Sequence, residues 1–242
     1  PLKALYLDGY RGNGGKEPFG VYAARSRDGI HWEKLGKVLP GWGDRFNALS
    51  TRHDGTYVLY GRAPEMHTSR RGRIVYRTAS DDLLHWSKPE LVMTPDADDP
   101  VNLEFYSASV FPHGDLLMAG IERMHMTPDK LDVEIAWSRD GRRWQRSGRR
   151  PSFIEWGVPG RWDSTWINLT SNAPIAVHNP LWFYYSGRSG AHNAPFPHNH
   201  GAIGLATLRV DGFCSLRAAE QQGWSLTPPL TWPGGDLQVN VD

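Results

Sequence analysis

An all-β fold built from a repeated four-stranded antiparallel unit is predicted for this 242-residue chain by three observations. The first is a recurring heptad. Ser26-Arg27-Asp28-Gly29-Ile30-His31-Trp32, Ser80-Asp81-Asp82-Leu83-Leu84-His85-Trp86 and Ser138-Arg139-Asp140-Gly141-Arg142-Arg143-Trp144 share the pattern S-x-D-x-x-x-W, with their serines 54 and then 58 residues apart. A degenerate fourth copy is Thr207-Leu208-Arg209-Val210-Asp211-Gly212-Phe213. A fixed spacing marks a repeat architecture, and four strands with their turns occupy roughly 40–50 residues. The second observation is composition: 11 Trp, 26 Gly and 18 Pro, with few long helical patterns, as expected of short strands joined by turns. The third is that strand-like runs bounded by turn residues flank every heptad. Together these predict a five-bladed β-propeller, of which this chain carries about four blades.

Each heptad reads as a hairpin turn. The Asp accepts backbone N–H bonds, Gly supplies a positive φ, and the Trp caps the sheet. Recurrence at one place in every unit makes these aspartates structural. The first unit lacks strand A and has B, C and D at 2–7, 21–26 and 34–39. The second unit has all four, at 46–51, 57–62, 73–80 and 87–92. The third runs 103–111, 116–123, 131–138 and 144–147, and the fourth 165–177, 181–188, 202–209 and 213–217. Residues 1–223 are thus predicted as propeller blades. Residues 224–242, with strand-like runs at 224–228 and 237–241, are closing strands or the start of a C-terminal β domain. A unit without its A strand leaves open sheet edges, which invite pairing with another chain. A fragment or truncated homologue, with homo-oligomerisation through those edges, is the corresponding expectation.

A formal net charge of +1 gives no global reason to expect nucleic acid or an anionic membrane as partner. The basic runs Arg70-Arg71-Gly72-Arg73 and Arg142-Arg143 read as solvated turns. Cys214, alone in the sequence, excludes an internal disulfide and is expected to be a small buried residue. No apolar run is long enough to span a membrane as a helix. The chain opens directly on a strand-like run, Pro1-Leu2-Lys3-Ala4-Leu5-Tyr6, without a signal-peptide pattern. Upstream sequence is expected, and a secreted or periplasmic location is favoured.

Successive turns of an antiparallel meander alternate between the two ends of the sheet. The A–B turns and the heptads therefore share one end. The longer connections, 8–20, 63–72, 94–102, 124–130, 148–164 and 189–201, share the other, where function is expected to sit. At that end Asp44, Glu104 and Asp163 stand at the starts of A strands. Asp8, Arg62, Glu122 and Arg188 stand at the ends of B strands. Inner strands would bring the three acids to one central pocket. Two or three carboxylates in a pocket are the equipment for glycosidic cleavage, one as acid and another as base or nucleophile. Trp42, Tyr106, Trp162 and Trp166 are placed to stack on sugar rings. Glu122 reads equally well as an ion-pair partner of Arg123 or of a neighbouring blade. Arg62 and Arg188 follow a shared pattern, in Tyr60-Gly61-Arg62 and Tyr185-Ser186-Gly187-Arg188, and are assigned to substrate.

His192, His198 and His200 lie in one Pro-rich loop. His198 and His200 could ligate zinc, but no third ligand has suitable spacing, so no metal site is assigned. His192 is kept as a substrate contact. No phosphate-binding loop, dinucleotide fingerprint or serine-hydrolase elbow is present.

The heptads, the blade layout and the segment Gly201-Ala202-Ile203-Gly204-Leu205-Ala206-Thr207-Leu208-Arg209-Val210-Asp211-Gly212-Phe213 resemble five-bladed propeller proteins related to glycoside hydrolase families 32, 43 and 68. The resemblance is strongest to uncharacterised bacterial family-32-like proteins. It implies a carbohydrate substrate and an acidic triad at the starts of inner strands, matched by position to Asp44, Glu104 and Asp163. The Asn-Asp-Pro-Asn and Arg-Asp-Pro signatures of the fructan-cleaving members have no counterpart here. Glu104 is assigned as general acid, and Asp163 and Asp44 as base or nucleophile and pKa-tuning partner. No cofactor is called for, although a structural calcium ion in the central channel is compatible with the reading. Two alternatives accompany it: a non-catalytic sugar-binding propeller, and a glycoside phosphorylase whose phosphate is held by Arg62, Arg188 and His192.

Overall fold

The computed structural model describes residues 1–9, 19–65, 72–170, 173–192, 194–195, 199–218, 220–227, 229, 231–232 and 234–236. The chain divides into two units, Pro1–Val210 and Asp211–Asp242. The first is all-β, and no α-helix occurs among the described residues.

The predicted meander is present through the first three units and, without its last strand, in the fourth. β1 (Leu2–Asp8), β2 (Gly20–Ser26) and β3 (Trp32–Pro40) pair in that order. β4 (Phe46–Ala48), β5 (Tyr57–Gly61), β6 (Val75–Ser80) and β7 (Glu90–Met93) form a separate four-stranded sheet. β8 (Leu103–His113), β9 (Leu116–His125), β10 (Lys130–Ser138) and β11 (Gln145–Arg146) repeat the arrangement. The fourth unit is β12 (Trp166–Leu169), β13 (Ile175–Ala176), β14 (Pro180–Arg188) and β15 (Gly201–Arg209). It joins the third through one parallel bridge, Leu131↔Trp166, so these two units count as one eight-stranded sheet.

The heptads are the turns the sequence calls for. Ser26 Oγ accepts from Gly29 N at 2.8 Å, and Asp28 Oδ1 accepts from Ile30 N at 2.9 Å and His31 N at 2.8 Å. Ser80 with Asp82, and Ser138 with Asp140, repeat these bonds. The fourth heptad position has φ of +81° at Gly29, +72° at Leu83 and +67° at Gly141. Gly141 is also a close approach. A Cβ there would lie 2.5 Å from Tyr60 Oη, the hydroxyl that donates to Gly141 O at 3.0 Å. Gly141→Ala is therefore expected to lose about 1–3 kcal/mol through backbone strain and overpacking, read as a lower Tm with secondary structure retained at 20 °C.

Two expected strands are corrected. Residues 213–217 form no strand, and Leu216 is exposed. The degenerate heptad carries its aspartate two positions late, at Asp211, so the Ser–Asp turn that feeds strand D elsewhere cannot form. The long strand at 165–177 is split into β12 and β13, with Pro174, which lacks an N–H for pairing, just before β13. In the C-terminal segment Asp211–Asp242, residues 224–227 form no strand, and Trp224 and Leu226 are exposed. The run 237–241 lies outside the described residues. Cys214 is exposed rather than buried, because the run 213–217 that carries it forms no strand.

Packing between units follows from the two-residue alternation of strands. Val58, Tyr60 and Val75 pack with Phe105, Val110, Leu117 and Ile121. Val21 and Leu39 pack with Trp42, Leu59, Ile74 and Tyr76. Gly120 lets the third unit approach the fourth, since a Cβ there would meet Leu169 Cδ1 at 2.2 Å. The edge-on pair of Tyr60 and Trp144, 6.0 Å between centroids, adds about 0.5–1.5 kcal/mol beyond area burial.

A buried ion network ties the third unit to the loop after β7. Arg123 Nε donates to Asp132 Oδ1 at 2.9 Å, and Arg123 Nη1 donates to Glu134 Oε2 at 3.2 Å. Arg146 bridges Glu134 and Asp99, with bonds of 2.7 and 2.6 Å. Glu134 is fully buried, and Arg123 and Asp132 nearly so. Burial raises the Asp99 carboxyl, but the bonds from Arg146 outweigh it and bring the pKa down to about 2. Burial likewise opposes the Asp132 charge, and His125 and Arg123 overcome it and lower that pKa too.

Candidate functional site

Side chains from the second, third and fourth units converge on Tyr106. A β-bulge in β8 makes this placement. Phe105 pairs Arg123 and Ser107 pairs Glu122, which leaves Tyr106 between them without a partner. Bulges of this kind redirect a side chain and occur beside functional sites. The Arg62 guanidinium lies 4.6 Å from the Tyr106 ring centroid and that of Arg73 5.4 Å. The Tyr106 hydroxyl is 3.3 Å from His192 Nε2. Trp166 packs edge-on against Tyr106 at 5.2 Å and stacks on His192 at 4.6 Å, with 7° between planes. Arg188 stacks on Trp166 at 4.3 Å.

Two of the three predicted acids reach this cluster through arginines. Asp44 accepts from Arg62. Glu104 accepts from Arg73 Nη1 at 2.6 Å, and Gly72 closes over it, since a Cβ there would meet Glu104 Oε1 at 2.2 Å. Asp163 is placed differently. It accepts from the Tyr185 hydroxyl at 3.2 Å, and a Cβ on Gly187 would meet Asp163 Cβ at 2.6 Å. Tyr185 and Gly187 share one face of β14, whereas Arg188, the next residue, points to the opposite face. Asp163 therefore stands with Tyr185 and the stacked Trp162, across the sheet from Arg188.

Glu122 is fully buried and paired with Arg45, whose Nε donates to Oε2 at 3.0 Å. Arg45 also donates to Leu169 O, so this pair links three units. Of the two partners considered from sequence, the neighbouring unit supplies it, and Arg123 turns to the opposite face. Trp42 and Trp166 are 2% and 1% exposed. Neither keeps an open ring face for a sugar, because each is consumed in packing. Tyr106 is 9% exposed. Asp8 accepts from Gly9 N at 2.8 Å. His198 lies outside the described residues, and among those described no group of three His, Cys, Asp or Glu side chains is arranged to hold a metal.

Sequence reasoning passed over Arg73, Arg45 and Asp129. Arg73 was read as part of a solvated basic turn, yet it opens the approach to β6 at the loop-rich end. Asp129 Oδ2 accepts from His192 N at 2.9 Å and so anchors the loop that carries His192. Burial lowers the Arg62, Arg188 and His192 pKa values, and the neighbouring arginines push His192 down further. The His192 imidazole is accordingly neutral at pH 7. Burial also opposes the Arg45 charge, but Glu122 outweighs it and raises that pKa.

No family model matches the chain, and no curated protein matches it. Solved structures do. A protein described as a glycoside hydrolase aligns with TM-score 0.61 at 17% identity, over 90% of this chain and 65% of its own. The β-1,2-mannobiose phosphorylase of Listeria innocua, solved with β-1,2-mannobiose, aligns with TM-score 0.59 at 12% identity, over 81% and 52%. A glycosyl hydrolase from Bacteroides ovatus aligns with TM-score 0.57 at 13% identity, over 86% and 61%. The chain has their fold. It is a propeller-type fold, and this chain spans less than two thirds of the length of each of these three structures. In this propeller-type chain the Tyr106 cluster lies where the sequence places function, at the loop-rich ends of β5, β8, β12 and β14.

Proposed function

We propose that this chain cleaves glycosidic bonds in an oligo- or polysaccharide, with Glu104 as general acid and Asp44 as base or nucleophile. The supporting observation is that two acids from different units are tied, through Arg73 and Arg62, to one aromatic ring. Each carboxylate is thereby held in a fixed orientation, as acid–base catalysis requires. Tyr106 and His192 stand beside them as hydrogen-bonding partners for sugar hydroxyls. Asp163 stands on the other face of β14 and is left out of this assignment. In the same proposal the four units belong to a ring of five blades, in keeping with the propeller-type neighbours.

The test is a panel of plant, algal and microbial oligosaccharides incubated with the purified chain, scored for new reducing ends, with Glu104→Gln alongside. Turnover by wild type that is lost in the variant is the expected result. Saturable binding without turnover by wild type would replace cleavage by a sugar-binding role.

A further inference from the structure

Of the four guanidinium groups in and beside the Tyr106 cluster, three have carboxylate partners. Arg45 pairs with Glu122, Arg62 with Asp44, and Arg73 with Glu104. Arg188 differs. Among the described residues its guanidinium makes no hydrogen bond and no ion pair, and its contact is the face of Trp166 at 4.3 Å. Asp129, whose charge acts on Arg188, spends Oδ2 on the His192 backbone. A second donor in the same stack is unspent: Trp166 Nε1 is buried without a partner.

Its guanidinium N–H groups are not sealed from solvent, so the fork keeps its five donors available to a ligand. Stacking on Trp166 fixes the plane of the fork, so little side-chain entropy remains to be lost on binding. A planar fork held this way fits a carboxylate, sulfate or phosphate through two parallel N–H bonds.

Resting on the cleavage reading for its carbohydrate context, we infer that Arg188 receives an oxyanion, which makes the substrate an acidic carbohydrate or its co-substrate inorganic phosphate. The anion meets the donor edge of the Arg188 fork, whose plane is set by Trp166, on the side where His192 stacks. Arg62 and Arg73 are engaged by Asp44 and Glu104, so the oxyanion is drawn to Arg188.

The experiment measures binding and turnover separately on wild type, Arg188→Ala and Arg188→Lys. The probes are uronate-containing and sulfated oligosaccharides, their carboxyl-reduced and desulfated counterparts, and inorganic phosphate. Calorimetry gives binding, and thermal melting checks that each variant is folded. Wild type is expected to prefer the acidic form by about 10- to 100-fold, the range for a hydrogen bond to a charged group. Arg188→Ala should erase that preference and Arg188→Lys restore part of it, because lysine keeps the charge but not the fork. If phosphate is the oxyanion, wild type instead binds it, cleaves neutral oligosaccharides only in its presence, and releases a sugar phosphate. Arg188→Ala then loses the phosphate dependence. Equal binding of every probe, phosphate included, by wild type and Arg188→Ala overturns the inference. Binding of acidic oligosaccharides without turnover leaves it standing and removes the cleavage reading. Turnover indifferent to Arg188 does the reverse.

Discussion

Glu104→Gln is expected to lower turnover of a cleavable oligosaccharide by about 10²- to 10⁴-fold, the contribution of one general acid–base group. Glutamine has nearly the same shape. Its carbonyl oxygen can still accept from Arg73, which bonds Glu104 Oε2 at 2.6 Å in the wild type, so the fold and the packing under Gly72 should persist. What is lost is the group that passes a proton to the leaving-group oxygen, a step for which Arg73 must release Glu104 as substrate binds. The signature is a fall in kcat with KM little changed, since the interaction removed is made in the transition state. Asp44→Asn should behave similarly, although it also loosens Arg62 from its place over Tyr106. An unchanged kcat in Glu104→Gln, with Tm at the wild-type value, would remove Glu104 from the chemistry.

Arg123→Met is expected to cost about 3–5 kcal/mol of stability, the usual penalty for breaking a buried pair by removing one partner. Asp132 and Glu134, 3% and 0% exposed, would be left without the cation that both share. At about 2–4 °C per kcal/mol for a domain of this size, Tm should fall by roughly 6–20 °C in calorimetry. The same network sets an acid limit. The Asp132 and Asp99 carboxyls lie below their ordinary values in the folded chain, Asp99 at about 2. An unfolded aspartate titrates near 3.9 by comparison. A depressed folded pKa gives stability that is present above the unfolded value and lost as pH falls toward the folded one. Wild-type stability should therefore hold above about pH 4 and decline between about pH 4 and pH 2. Urea midpoints measured across that window would check the sign. A midpoint that stays level or rises on acidification contradicts it.

Legibility in the sequence followed the range of the forces involved. The heptad turns were readable because every bond in them is local. Ser26 Oγ and Asp28 Oδ1 bond backbone groups two or three residues away, so residue identity and spacing suffice. Where the aspartate shifts to position 211 the turn fails, and strand D of the fourth unit fails with it. The strand alternation that divides the loop-rich end from the heptad end was legible for the same reason. It places Arg62, Arg188, Glu122 and the A-strand acids toward the loop-rich end.

Which of those residues meet was decided by tertiary structure alone. The bulge that frees Tyr106 arises in the pairing of β8 with β9, and neither strand announces it. Arg73 reaches Glu104, and Arg45 reaches Glu122, across gaps of 31 and 77 residues. Trp42 and Trp166 looked like sugar platforms, but neighbouring units bury them. Asp163 shares its strand-start position with Asp44 and Glu104, yet Tyr185 and Gly187 hold it on the other face of β14. By itself the sequence determined the repeat, its turns and the end of the sheets where chemistry would gather, because those depend on neighbours along the chain. The tertiary structure decided which charges pair and which guanidinium stays unspent, because burial and ion pairing depend on groups that only the packed units bring within reach.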